Sequence, residues 1–288
     1  MVIKGYDQNK TLWYKDWLFL YKLIAFIVGS SLLILGFILS VFVQSWYVSG
    51  NDKITFYHNL LWLANLDVMT SFWSVQTIVM AEIWFLFALI YHRREWKNKI
   101  SNFNTQLNIT VYITVTFVIF WVAVGISFFT TLNVGFNFND FSLTAKILGS
   151  LTHLIIPLSM IVLFLIDSHN KKYQAKKILF SVMIYPILYQ LYVLIRATIL
   201  DAYGVRLNTI GSYPYKFLDF SNPLFPVPIY VNALLVIISF TAIFWILSFG
   251  FVGLQKVIWQ NKWQVNDKKA SNDVVKNKRI SIDDVNII

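Results

Sequence analysis

Six long apolar runs constrain this chain more than any other feature: Leu18–Val43, Met69–Tyr91, Leu107–Phe129, Lys146–Ile166, Ile178–Ile199 and Pro228–Leu254. A helix crosses the hydrocarbon core of a bilayer in about 20 such residues. The first run is longer than the core of a signal peptide and shows no small-residue cleavage pattern, so it reads as a retained span. Hydrophobic residues make up 57% of the chain and charged residues 13%. That balance excludes a disordered chain, a coiled coil and an ordinary soluble enzyme. Cysteine is absent, which excludes disulfides, cysteine metal sites and a thiol nucleophile.

The net charge of +10 does not call for nucleic acid, because its distribution follows the spans. Lys4, Lys10, Lys15 and Lys22 lie at the start. Arg93, Arg94, Lys97 and Lys99 lie between the second and third spans, and Lys171, Lys172, Lys176 and Lys177 between the fourth and fifth. Lys256, Lys262, Lys268, Lys269, Lys276, Lys278 and Arg279 follow the sixth. Nineteen of 24 basic residues thus fall on one side, against Lys53, Lys146, Arg206 and Lys216 on the other, with Arg196 inside a span. The asymmetry predicts an all-α, six-span protein of the cell membrane with both termini cytoplasmic. Five or seven spans would scramble the count. The expected organisation is a cytoplasmic segment over residues 1–17, a six-helix membrane domain over 18–254 and a basic tail over 255–288. The tail is polar enough to lack structure of its own, and its lysines suit anionic lipid headgroups. Trp13, Trp17, Trp46, Tyr47, Trp96 and Trp259 fall near span ends, as an interfacial aromatic belt does. Lysine outnumbers arginine, and Asn and Ile are frequent, a composition that suggests a bacterial source. No cofactor motif or metal-ligand spacing is present.

Ionisable residues inside spans are costly and are the first functional candidates. Here they are Glu82, His153 and Arg196, joined by Ser74, Gln76, Thr77, Tyr185 and Tyr189. At 1.5 Å per residue, Ser74 lies about 8 Å, His153 about 10 Å, Tyr189 about 15 Å and Arg196 about 5 Å from the outer ends of their spans, whereas Glu82 lies about 20 Å in. All but Glu82 share the outer half, and one cavity could collect them. Ser74 and Thr77 share a helix face, as do Ser150, His153 and Pro157. The loop from Tyr213 to Asp219, rich in aromatics and proline, reads as a cap over the outer mouth or as an interfacial turn.

These segments resemble the androgen-induced and androgen-dependent integral membrane hydrolases and their bacterial relatives. The likeness runs over residues 18–254. It is carried by Phe72-Trp73-Ser74-Val75-Gln76-Thr77, by His153 with Pro157, by Tyr185-Pro186-Ile187-Leu188-Tyr189 with Arg196, and by Tyr213-Pro214-Tyr215-Lys216-Phe217-Leu218-Asp219. The resemblance implies hydrolysis of fatty-acid esters by an intramembrane threonine and histidine. Ser74 occupies the threonine position and His153 the histidine position, with Thr77 a second hydroxyl one turn deeper. Ile78 stands where the bacterial relatives have Asn. The implied chemistry has His153 as general base and Ser74 or Thr77 as nucleophile. Gln76, Tyr189 and Arg196 would bind substrate, with Arg196 or Tyr189 holding its carboxylate or the oxyanion. Asp201 and Asp219 are candidate orienters of His153. No metal or cofactor is implied, and the partners are membrane lipids or fatty-acid esters. The rival readings are a non-enzymatic membrane protein that binds or transports a small ligand, and a structural subunit whose polar groups only join helices.

Overall fold

The computed structural model describes residues 16–48, 55–92, 99–129, 138, 141–167, 175–205, 213–215, 218–219, 228, 231 and 234–258. Among the described residues there are helices and no strands. Helix α1 (Trp17–Ile38) starts where the Asp16 carboxylate accepts from the Leu18 N–H at 3.1 Å, an N-cap of the usual kind. It runs on into a π-helical turn, Leu39–Val43. Helix α2 (Leu61–Ser71) and α3 (Trp73–Ile90) follow, separated by Phe72 alone. Asn102 caps α4 (Phe103–Phe129) through the Thr105 N–H, and Ser142 caps α5 (Leu143–Ile166) through the Ala145 N–H. Helices α6 (Ala175–Ala202) and α7 (Leu234–Ile258) complete the set.

Six of these helices are long and apolar enough to span a membrane, and α2 is not. The six agree with the runs read from hydropathy to within a few residues at most ends, the third, fourth and fifth spans being longer than their runs. The last span is described from Leu234 to Ile258, and residues 229–230 and 232–233 before it lie outside the described residues. The second begins at Trp73, because Met69, Thr70 and Ser71 close a separate helix before it. Hydropathy is continuous across that point, and a one-residue break leaves no trace in it.

Helices α1, α3, α4 and α5 form a ring: α1 packs on α3 and α5, α4 packs on the same two, and α3 also meets α5 across the ring. Helix α6 lies against α4. The ring encloses Ala25 of α1, Ile78, Ala81 and Phe85 of α3, Ile109 and Ile113 of α4, and Ile156, Met160 and Leu163 of α5. Lipid tails are as apolar as these side chains, so close packing rather than escape from water must hold the ring. Small residues at its contacts, Ala25, Gly29, Ala81 and Ala88, permit the approach. Large apolar residues such as Ile24, Ile27, Ile34, Ile184, Leu188 and Ile195 face outward, as a lipid-facing surface requires.

Two prolines sit inside helices, and each frees the carbonyl four residues earlier. Pro157 of α5 frees the His153 carbonyl, which accepts from the Trp121 indole at 3.4 Å. Pro186 of α6 frees the Val182 carbonyl, which accepts from the Tyr112 hydroxyl at 2.9 Å. Both partners come from α4, so the prolines tie α5 and α6 to one helix.

The chain divides into two units, Met1–Ser248 and Phe249–Ile288. In the second, the described residues are the last turns of α7, where Phe251 and Val252 are buried. The expected unstructured tail lies outside the described residues from residue 259 on, as does the N-terminal segment up to residue 15.

Candidate functional site

The break between α2 and α3 organises the polar residues of this region. Phe72 adopts an extended backbone, φ −72° and ψ 131°, so the helical hydrogen-bond ladder stops on both sides of it. No side chain of the break itself caps α3. Inside a membrane such freed groups need partners from elsewhere in the protein. The Tyr189 hydroxyl supplies two at once. It accepts from the Trp73 N–H at 3.1 Å and donates to the Ser71 carbonyl at 2.9 Å. The Gln76 amide donates to the Thr70 carbonyl at 2.8 Å, and the Tyr185 hydroxyl donates to Gln76 Oε1 at 2.8 Å. The Tyr215 hydroxyl accepts from the Ser74 N–H at 3.4 Å and also meets the Ser74 side chain. Burial pushes the Tyr215 phenol up to about 12.

Arg196 lies one layer away. Its Nε and Nη2 reach Asp67 Oδ2 of α2 at 3.0 and 2.6 Å, and the Tyr57 hydroxyl donates to the same oxygen at 2.8 Å. Burial first, and then the Asp67 carboxylate beside it, hold the Tyr57 phenol above the usual tyrosine range. The guanidinium that the sequence offered to a substrate carboxylate therefore has an internal one.

His153 is half-buried on α5. Its ring stacks on Phe120, with centroids 4.0 Å apart and planes 13° apart. Its Nδ1 lies 2.8 Å from the Gly149 carbonyl. A carbonyl only accepts, so Nδ1 carries a hydrogen, and in the neutral ring Nε2 keeps its lone pair. No hydrogen bond joins His153 to Ser74, Thr77, Asp201 or Asp219. The Thr77 hydroxyl, fully buried, lies 2.7 Å from that of Thr116 and 3.1 Å from the Ser74 carbonyl.

Depth relates the two halves of the implied pair. His153 is three residues before Ile156, and Ser74 is four residues before Ile78, and both isoleucines belong to the ring's core cluster. Thr116 of α4 meets Thr77, and Phe120, one turn further along α4, meets His153, so His153 lies about one turn from the level of Thr77, near that of Ser74.

A narrow cavity abuts the break. Trp73, Val115, Ile119, Pro186, Tyr189, Tyr215 and Phe240 are among its walls, and its surface is mostly apolar. Trp73 is itself ringed by Tyr112, Tyr185, Tyr189 and Phe244, with centroids 5.7, 4.6, 5.1 and 5.6 Å away. Tyr215, which the loop motif contained, does cover the start of α3. Lys216 and Phe217 of that loop lie outside the described residues.

Sequence reading missed Asp67, Tyr57, Thr116 and Phe120. A signal existed for the first: Asp67 is an acid just before the second span, at the depth where Arg196 needed a partner. Phe120 had none, because a stacking phenylalanine looks like any other core residue. Among the described residues no three His, Asp or Glu side chains converge as metal ligands.

Six apolar spans, four of them packed around a closed core, define a multi-pass integral membrane protein. Comparison with family models, with curated protein sequences and with solved structures finds no match to the chain.

Proposed function

We propose that the protein hydrolyses lipid esters within the cell membrane, using Ser74 as nucleophile and His153 as general base. The observation that carries this reading is the Gly149 carbonyl 2.8 Å from His153 Nδ1. The Gly149 carbonyl holds the hydrogen on Nδ1, which leaves Nε2 as an unpaired base at the depth of Ser74. Ser74 is half-buried, whereas Thr77 is sealed against Thr116, so Ser74 is the hydroxyl a substrate can meet. Nε2 takes the hydroxyl proton as the oxygen attacks the ester carbonyl, and the proton then passes to the leaving alkoxide. Water hydrolyses the acyl-enzyme by the same route in reverse. The N–H groups of Trp73 and Ser74 at the start of α3 suit the oxyanion once the phenols that cap them yield. The lipid-ester class follows from the family resemblance and from the site's depth, and the cytoplasmic termini follow from the count of basic residues.

The test is turnover of a fluorogenic ester of a fatty acid with a hydroxy fatty acid by the purified chain in detergent. His153→Ala should lower turnover by about 100-fold or more, and Ser74→Ala should match it. Unchanged turnover in His153→Ala sinks the mechanism. The second reading, a non-enzymatic ligand-binding protein, draws on the aromatic cavity beside Trp73. Absence of both turnover and labelling by a serine-hydrolase probe, with ligand-dependent quenching lost in Trp73→Phe, would favour it.

A further inference from the structure

One carboxyl group inside the bundle takes no part in that reaction. Glu82, near the middle of α3, is only 5% exposed. Its Oε2 accepts from the Ser30 hydroxyl of α1 at 2.9 Å. Its Oε1 is buried and has no hydrogen-bond partner. That oxygen lies against the main chain of Gly29, so close that a Cβ on Gly29 would collide with it. Gly29 is therefore a notch in α1 that receives the Glu82 carboxyl.

The titratable groups on the helices around α3 are engaged elsewhere. Lys22 of α1 lies 3.3 Å from Asp167 at the end of α5. Tyr21 of α1 donates to the Ser159 carbonyl at 2.9 Å. Asp67 of α2 holds Arg196, Tyr112 of α4 donates to the Val182 carbonyl, and His153 of α5 bonds to the Gly149 carbonyl. Among the described residues no ion pair reaches Glu82. A carboxylate with one hydroxyl donor and one bare oxygen is costly in this setting, whereas a carboxylic acid needs only a neighbouring acceptor for its hydrogen. The α1 main chain, bare at Gly29, lies beside that oxygen.

We propose that Glu82 is a proton-binding site at the α1–α3 contact: it holds a proton while Gly29 and Ser30 enclose the carboxyl, and releases it when α1 and α3 part. The ligand is the proton itself, since the oxygen pressed on Gly29 leaves no room for a cation. The site is separate from Ser74 and His153, so its failure would leave the hydrolytic reading untouched.

Infrared spectroscopy of the full chain in phosphatidylcholine vesicles tests it. The expected result is a carboxylic-acid carbonyl band that persists across about pH 5 to 8, shifts in deuterium oxide and is lost in Glu82→Gln. Gly29→Ala, which displaces the carboxyl from its notch, should convert part of that band to carboxylate. Dicyclohexylcarbodiimide, which adds the acid O–H across its C=N bond and rearranges to an acylurea, should label Glu82 in the wild-type chain. A wild-type spectrum with carboxylate bands alone overturns the proposal whether or not any variant folds. So does an acid band that survives in Glu82→Gln, or an adduct found only on other residues.

Discussion

The α2–α3 break, at the start of the second span, and the α1–α3 contact, near its middle, treat their polar groups in opposite ways. At the break, the freed Ser71, Thr70, Trp73 and Ser74 groups meet Tyr189, Gln76 and Tyr215, and the Asp67 carboxylate oxygen receives three donors. At the α1–α3 contact, Glu82 has one donor and one bare oxygen in a glycine notch. A fully connected network fixes one arrangement, because losing any member strands another. An isolated carboxyl with an orphan oxygen has a second state within reach. The first region reads as a scaffold for a site and the second as a switchable group.

Removing one charge from the Asp67–Arg196 pair is the strongest way to break the contrast. Asp67→Asn removes the carboxylate that the buried guanidinium holds through two nitrogens and should cost about 3 kcal/mol, read from thermal unfolding in detergent. Arg196→Met should cost less, because Asp67 retains 29% side-chain exposure. The double variant should recover part of the loss. Additive losses would show that the two charges are not coupled.

Tyr189→Phe comes next. It strands the Trp73 N–H and the Ser71 carbonyl together and should cost about 2 kcal/mol, with faster hydrogen exchange at Trp73. A smaller effect, about 1–2 kcal/mol, is expected for Gly29→Ala, whose new methyl meets the Glu82 carboxyl. Glu82→Ala should relieve that strain, so the pair should be less damaging than the sum of the single changes. An additive pair would mean that the notch does not hold the carboxyl.

The smallest effect is on pH dependence at the mouth of the site. The Tyr215 phenol is raised from 10.0 to about 12, chiefly by burial. Its folded state therefore binds a proton more tightly than its unfolded state. The resulting stabilisation is complete below pH 10.0 and fades as pH rises towards about 12. Alkaline melting curves of Tyr215→Phe should lack that part of the slope, and an unchanged slope would place the loss on another group.

Much of this architecture was legible in advance. Length and hydropathy of the runs located the six spans to within a few residues, and the intramembrane Glu82, His153 and Arg196 stood out by cost alone. The α2–α3 break was not legible, because Met69 to Trp73 contains neither proline nor glycine. It is satisfied by the pair of hydroxyls that Tyr189 and Tyr215 bring from 116 and 141 residues away in sequence. Asp67 was readable as a charge but not as the partner of Arg196, since pairing across 129 residues depends on how α2 lies against α6.

The sequence by itself determined that this chain lives in a membrane and where it crosses, because crossing depends on local length and polarity, which need no partner. Only the tertiary structure decided what each intramembrane polar group does. Arg196 received a carboxylate, Tyr189 a broken helix, His153 a carbonyl that frees its second nitrogen, and Glu82 a glycine notch. Those assignments are satisfied or left open by neighbours distant in the chain, and hydrogen bonding in an apolar medium makes that difference decisive.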